Sequence, residues 1–200
     1  MIALAYLLFF LAYGWLSVKV VKIALHWAAE RGRRPWLWGW IAGVGMYLLV
    51  FWDLVLTLAV HRYYCVSEGG FTQYRSLEQW KAENPGVAET LVANKGVEST
   101  REGDRERYRM NQRFVWDIVR TSHPFGVRGR EERIVDVETD EILARYVDFN
   151  TGISNKIGGE KSLRDYKAWL GWGMHSCEGS ELPQQVQFNG YQNAVQLIGK

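Results

Sequence analysis

The chain opens with MIALAYLLFFLAYGWLSV at residues 1–18 and continues, after a short polar stretch, with PWLWGWIAGVGMYLLVFWDLVLTLAV at residues 35–60. As a helix, the first run would span about 27 Å, close to the hydrocarbon thickness of a bilayer. In the second run, proline suits the first turn of a helix, and Trp and Tyr flank the run as they do at membrane interfaces. We therefore predict transmembrane helices at about 2–28 and 35–60, which form a hairpin over residues 1–62.

A cleaved signal peptide is the alternative interpretation of the first run. Signal peptides carry Lys or Arg ahead of the apolar segment, and residues 1–18 contain neither. The triplet Ala12-Tyr13-Gly14 is a poor cleavage site, and it lies in the middle of the run. The sequence therefore favours an anchor that is retained.

The connection between the two runs predicts the orientation of the hairpin. Its charged residues are mostly basic: Lys19, Lys22, Arg31, Arg33 and Arg34, against Glu30. Short loops with an excess of Lys and Arg stay in the cytoplasm. We expect a bacterial inner (plasma) membrane location, with the N-terminus and residues 63–200 on the extracytoplasmic side.

Two features inside the predicted spans indicate more than anchoring. Gly39 and Gly43 form a GxxxG pair, which permits close helix packing. Asp53 is a carboxylate within a predicted span, and such groups usually have a partner in protein or water. For Asp53 we considered an ion pair with the Met1 amino group, protonation, and a polar contact with another membrane protein.

The two cysteines of the chain, Cys65 and Cys177, predict a disulfide in an oxidising compartment. Such a bond would close a long loop and stabilise the folded domain by roughly 4 to 5 kcal/mol in the chain-entropy model. The alternatives are free thiols, or a metal site that adds His61 and His175. We favour the disulfide and predict no metal site and no cofactor.

Residues 63–200 predict an α+β domain. Ser76-Leu77-Glu78-Gln79 is a capping box, so a helix should begin there and end before Asn84-Pro85-Gly86. A weaker start at Ser162-Leu163-Arg164-Asp165 predicts a short helix to Leu170, which Gly171 ends.

Strand patterns occupy the region between these two helices. The chain from Arg105 to Val119 alternates between apolar and basic residues, which predicts one strand. Segments 133–138 and 141–149 predict a hairpin with Thr139-Asp140 in the turn. We expect an antiparallel sheet of three or more strands with one face covered by helices.

The strongest candidate for a binding site is a row of arginines along the predicted strand: Arg105, Arg107, Arg109 and Arg113. On one sheet face they would bind carboxylates or phosphates. The alternative is a solvated face neutralised by nearby acids, namely Glu98, Glu102, Asp104, Glu131 and Glu132. We call the four arginines, Arg105, Arg107, Arg109 and Arg113, the arginine row.

Other short motifs do not fit a known chemistry. The segment 148–152, DFNTG, begins like a calcium loop, but Ile153 and Gly159 fall where the EF-hand needs Gly and Glu. Ser122 and His123 are adjacent, without an acidic third member or an oxyanion hole. The glycine pairs at 158–159 and 171–173 lack the strand–loop–helix context of a phosphate site.

These observations favour binding over catalysis. The near-neutral net charge of +2 argues against nucleic acid as a partner. Our first hypothesis is a non-enzymatic envelope protein that binds another membrane or envelope protein, as an accessory subunit or as an exclusion or immunity factor. Our second hypothesis is a membrane-tethered enzyme or sensor for an anionic envelope ligand.

Overall fold

A computed structural model describes residues 2–94, 98–151, 167, 176–177 and 183–198. Helix α1 covers Ile2–Glu30 and helix α2 covers Pro35–Ser67. By length and composition, both helices are able to cross a membrane. The prediction of two long apolar helices is confirmed.

The chain divides into two compact units inside helix α2. The first unit is Met1–Val55 and the second is Leu56–Lys200. Helix α2 runs on to Ser67, whereas the sequence predicted its end at residue 60. The extension persists because its apolar side chains Val60 and Tyr64 pack against the second unit's own core.

In the first unit, α1 and α2 pack against each other through aromatic rings. Phe10 stacks on Phe51 with ring centroids 6.2 Å apart, and Trp27 meets Trp38 edge-on at 5.2 Å. The Tyr13 hydroxyl donates a hydrogen bond to the backbone oxygen of Met46. The partners of these contacts run in opposite directions along the two helices, which therefore form an antiparallel hairpin.

The second unit contains an open antiparallel sheet of six strands in the order β1-β6-β5-β4-β3-β2. The strands are β1 Gly70–Gln73, β2 Ser99–Glu102, β3 Arg105–Arg109, β4 Phe114–Ser122, β5 Arg128–Asp136 and β6 Glu141–Asn150. The prediction of an antiparallel sheet is confirmed. Every neighbouring pair from β2 to β6 is consecutive in the chain, so the sheet is built mainly from hairpins.

The prediction of a single strand from Arg105 to Val119 is wrong. The structure has a hairpin there, in which β3 turns back into β4. The Asn111 side-chain oxygen accepts hydrogen bonds from the backbone N–H groups of Arg113 and Phe114, at 3.0 and 2.8 Å. An asparagine that binds the backbone two residues further on favours a turn, and this local bond overrides the alternating pattern.

The capping box and the predicted β5–β6 hairpin are confirmed. Helix α3 covers Leu77–Glu83, and Ser76 and Gln79 exchange the two capping hydrogen bonds. Strands β5 and β6 pair from Asp136 opposite Glu141, and Asp140 in the turn has φ +55°. Aspartate tolerates this left-handed conformation better than most residues do.

The main core lies on the sheet face that carries Phe114, Ile134 and Tyr146. Trp80 of α3 and Phe188 of helix α4, Pro183–Gln196, cover this face. Helix α4 was not predicted from the sequence, although proline at its first position is typical of a helix start. The helix predicted from Ser162 to Leu170 falls outside the described residues, apart from Lys167.

The opposite sheet face carries a smaller apolar cluster at one end. Val127, Val147 and Phe149 pack there against Val60 and Tyr64 from the end of α2. The two faces of the sheet therefore have different neighbours, with α3 and α4 on one face and the end of α2 on the other.

Candidate functional site

Two members of the arginine row bind a buried carboxylate of their own sheet. Arg107 of β3 lies opposite Asp117 of β4, and its Nε and Nη2 donate to the carboxylate at 2.8 and 3.0 Å. Arg105 donates to the same group, which is fully buried. Burial by itself raises the pKa of the Asp117 carboxyl, but the hydrogen bonds from Arg107 and Arg105 outweigh it and hold that pKa below its ordinary value.

Arg113 belongs to a second buried network. Its Nε donates to Asp136 at 2.6 Å and its Nη2 to the Asn84 side chain at 3.1 Å, and it also pairs with Glu138. The Trp80 indole donates to the other oxygen of Asp136 at 2.9 Å. Burial works to raise the pKa of the Asp136 carboxyl, and the bonds from Arg113 and Trp80 overcome it and lower that pKa.

Arg109 of the arginine row is exposed, as Arg105 is, and its Nε donates to the Asn111 backbone oxygen at 3.4 Å. The structure thus joins the other three members to carboxylates inside the sheet. The acids that bind them most closely, Asp117 and Asp136, are not those named from the sequence. Contact of the row with an outside anion or partner stays a prediction.

A different set of arginines surrounds a concave site of about 600 Å³. We call it the arginine groove and define it by Arg101 of β2, Arg120 of β4, and Arg128 and Arg130 of β5. Because side chains alternate along a strand, Arg120 lies on the same face as Phe114 and Ile118. The groove is therefore the polar continuation of the face that α3 and α4 cover further along the strands.

The register of the sheet sets the electrostatics of the arginine groove. Arg120 lies directly opposite Arg130, and like charges in this position destabilise a sheet unless a counter-charge lies close by. Glu106 pairs with Arg120 at 3.0 Å and with Arg101 at 3.5 Å. The hydrogen bond from Arg120 is the main cause that lowers the pKa of the Glu106 carboxyl.

Glu132 lies next to the groove on the same face of β5 and pairs with Arg130 at 3.0 Å. The Trp116 indole donates to the same carboxylate at 2.9 Å. Burial raises the pKa of Glu132, and the neighbouring cation does not fully offset the loss of water. Arg130 Nε is buried and has no hydrogen-bond acceptor among the described residues.

Cys65 and Cys177 form a disulfide that fastens the end of α2 to the last part of the chain. His61 lies one helical turn before Cys65, with its Nε2 3.6 Å from the Cys65 sulfur and 2.9 Å from the Phe149 backbone oxygen. Because the two sulfurs are bonded to each other, neither is a thiolate ligand for a metal in this state. His175 falls outside the described residues.

His123 lies between an apolar cluster and the hydroxyl of Thr121. Its ring lies 4.2 Å from the Tyr64 ring, and its Nε2 lies 2.9 Å from the Thr121 hydroxyl oxygen. Asp148, the first residue of the calcium-like segment, accepts hydrogen bonds from the Ser176 hydroxyl at 2.9 Å and the Cys177 N–H at 2.8 Å. The segments 152–160 and 171–173 fall outside the described residues.

The polar and glycine features of the hairpin have defined surroundings. A side chain at Gly39 would place its Cβ 2.7 Å from Leu25 Cδ2, whereas one at Gly43 would lie 3.9 Å from Val21 Cγ2. Of the two glycines, Gly39 thus lies closer to a side chain of α1. Asp53 is buried and interacts within the chain, and its contact with another membrane protein stays a prediction.

Comparison of the chain with protein families, with curated proteins and with solved structures finds no match.

Proposed function

We propose that this chain is a membrane-anchored, non-enzymatic binding protein of a bacterial envelope. Helices α1 and α2 span the inner membrane, and the sheet unit lies on the extracytoplasmic side. There it binds another membrane or envelope protein, as an accessory subunit or as an exclusion or immunity factor.

The observation that carries this proposal is the exposure of apolar side chains around α1 and α2. Leu11, Trp40 and Leu49 are exposed by 61, 69 and 71%. A core helix of a soluble protein would bury such side chains, and exposed apolar surface of this extent is typical of a membrane or partner contact. A lipid bilayer would cover the exposed apolar side chains of both helices together.

The orientation is tested with reporters fused after Lys200. Alkaline phosphatase is active only outside the cytoplasm, and green fluorescent protein exported in unfolded form stays dark there. We expect phosphatase activity without fluorescence, because the basic connection retains the hairpin turn inside. The opposite pair of signals would contradict the orientation and the extracytoplasmic role together.

The partner is tested by photo-crosslinking in cells. A photoreactive amino acid at Leu49 or Trp52, both exposed and close to Asp53, should yield an adduct with a defined protein. The matched control is Thr57 of the same helix, which is 1% exposed and should yield none. Lipid adducts alone at both exposed positions would refute a protein partner at the hairpin.

A second candidate function is a membrane-tethered enzyme or sensor for an anionic ligand. The arginine groove favours it, because its four arginines outnumber the two acids that also line it, Asp104 and Glu106, and an excess of positive charge in a concave site attracts anions. Under this hypothesis, replacement of Arg120 and Arg128 with Gln abolishes the ligand response, whereas crosslinks from Leu49 persist. Loss of the Leu49 crosslinks in this variant, together with an intact ligand response, would instead favour the protein-binding candidate.

A further inference from the structure

We propose that the arginine groove binds the phosphate group of a small anionic ligand, with Arg120, Arg128 and Arg130 as the donors. This inference rests on the second candidate function and gives its ligand a chemical class. The groove lies on strands β4 and β5, which are the central pair of the sheet, so the donors are held by rigid elements.

The register brings the three guanidinium groups together. Arg120 and Arg130 are directly opposite each other, and Arg128, opposite Ser122, is the next residue of β5 on the same face. Opposite residues have Cβ atoms about 5 Å apart, and diagonal neighbours about 7 to 8 Å. Arginine side chains are longer than these separations, so their ends are able to meet on one phosphate.

Part of the positive charge of the arginine groove is not paired with a carboxylate of the described residues. Arg128 has no ion pair within the described part of the chain, and Arg130 has a buried Nε donor without an acceptor there. Glu106 pairs with both Arg101 and Arg120, and Glu132 pairs with Arg130. A phosphate dianion would supply a counter-charge for Arg128, beside the carboxylates that already pair with Arg120 and Arg130.

The chemistry of arginine favours phosphate among anions. Guanidinium groups donate pairs of parallel hydrogen bonds to phosphate oxygens, and a phosphate offers enough oxygens for several such pairs. The Ser122 hydroxyl and the Asn150 amide line the groove as neutral donors, and the carboxylates of Asp104 and Glu106 line it as well. The volume of about 600 Å³ suits a small ligand and not a polymer.

The test is calorimetric titration of the full chain, in a neutral detergent at low salt, with glycerol 3-phosphate. We expect binding, which Arg128→Gln should weaken by about ten- to a hundredfold, since one charge-assisted donor group is lost. The matched control is Arg109→Gln, which removes an exposed arginine of the same sheet outside the groove and should leave the affinity unchanged. A thermal melt of each variant establishes that it is folded.

Glu132→Gln provides a change in the opposite direction. It removes the carboxylate that pairs with Arg130 while keeping an oxygen acceptor for the Trp116 indole. The affinity for glycerol 3-phosphate should therefore rise several-fold. Absence of binding by the wild type, or equal losses in Arg128→Gln and Arg109→Gln, would overturn the proposal.

The same titration in lipid nanodiscs distinguishes a soluble phosphate from a lipid head group. Binding of glycerol 3-phosphate that is equal in phosphatidylcholine and phosphatidylglycerol discs supports a soluble ligand. Binding that is lost only in phosphatidylglycerol discs supports the lipid head group as the occupant. These results are independent of the reporter and crosslinking experiments, so failure of the groove leaves the anchored-protein proposal standing.

Discussion

Removal of the Cys65–Cys177 disulfide should destabilise the sheet unit more than any single polar contact does. The two cysteines are 112 residues apart in the chain, and the loop between them contains the whole sheet. The chain-entropy relation for a loop of this length gives about 4.8 kcal/mol of stabilisation. For a domain of this size, the melting temperature should fall by roughly 10 to 20 °C.

The assay is thermal unfolding of the purified full chain in detergent, followed by circular dichroism. Cys65→Ser, Cys177→Ser and the double variant should lose the same stability, because each lacks the bond. Reductant should lower the melting temperature of the wild type and leave the double variant unchanged. A shift of less than about 3 °C, with the bond present in the wild type by mass spectrometry, would refute the reasoning.

The disulfide also reports on the compartment. Structural disulfides persist outside the cytoplasm and are rare within it. In intact cells, Cys65 and Cys177 should react with a maleimide only after reduction. Labelling of both thiols without reductant would contradict the extracytoplasmic address, independently of the reporter fusions.

Three further predictions concern the buried charges and the hairpin. Asp117→Asn should lower the free energy of unfolding in urea by about 2 to 3 kcal/mol, since a fully buried carboxylate loses its charged hydrogen bonds. The control Asp104→Asn, at an exposed site, should change the free energy of unfolding by less than about 0.5 kcal/mol. The pKa values of Asp117 and Asp136 are lowered in the folded state. The stability that these two carboxylates give the fold is therefore complete above about pH 4 and is lost as the pH falls through the lowered pKa values. Urea unfolding midpoints at pH 7 and pH 3 measure this loss, and equal midpoints would refute it. Gly39→Leu should destabilise the hairpin by about 1 to 3 kcal/mol in an SDS titration, and Leu25→Ala in the same chain should restore part of the loss, since the two side chains compete for one space.

Local signals in the sequence were sufficient for several elements. The charge-free run at residues 1–18 and Pro35 predicted α1 and the start of α2, because the length of an apolar helix is readable from composition. The capping box at Ser76 predicted the start of α3, since both of its hydrogen bonds lie within four residues. The β5–β6 hairpin followed from two alternating segments around a short turn.

Where the local signal competed with another, the prediction failed. Residues 105–119 alternate well enough for one long strand, but Asn111 binds the backbone of the next residues and reverses the chain. The polar composition after residue 60 hid the continuation of α2, which depends on packing of Tyr64. Helix α4 was missed because its residues are mostly polar, and its buried side chains are Phe188 and Val195.

The sequence by itself determined that this chain has two apolar helices followed by an antiparallel sheet, because hydrophobic length, capping and alternation act over neighbouring residues. Tertiary structure alone decided which arginines are neutralised and which surround an open site. Arg107 meets Asp117 and Arg120 meets Arg130 through strand register. Register is fixed by the packing of a whole sheet face, so the charge that each arginine faces comes from a distant part of the chain.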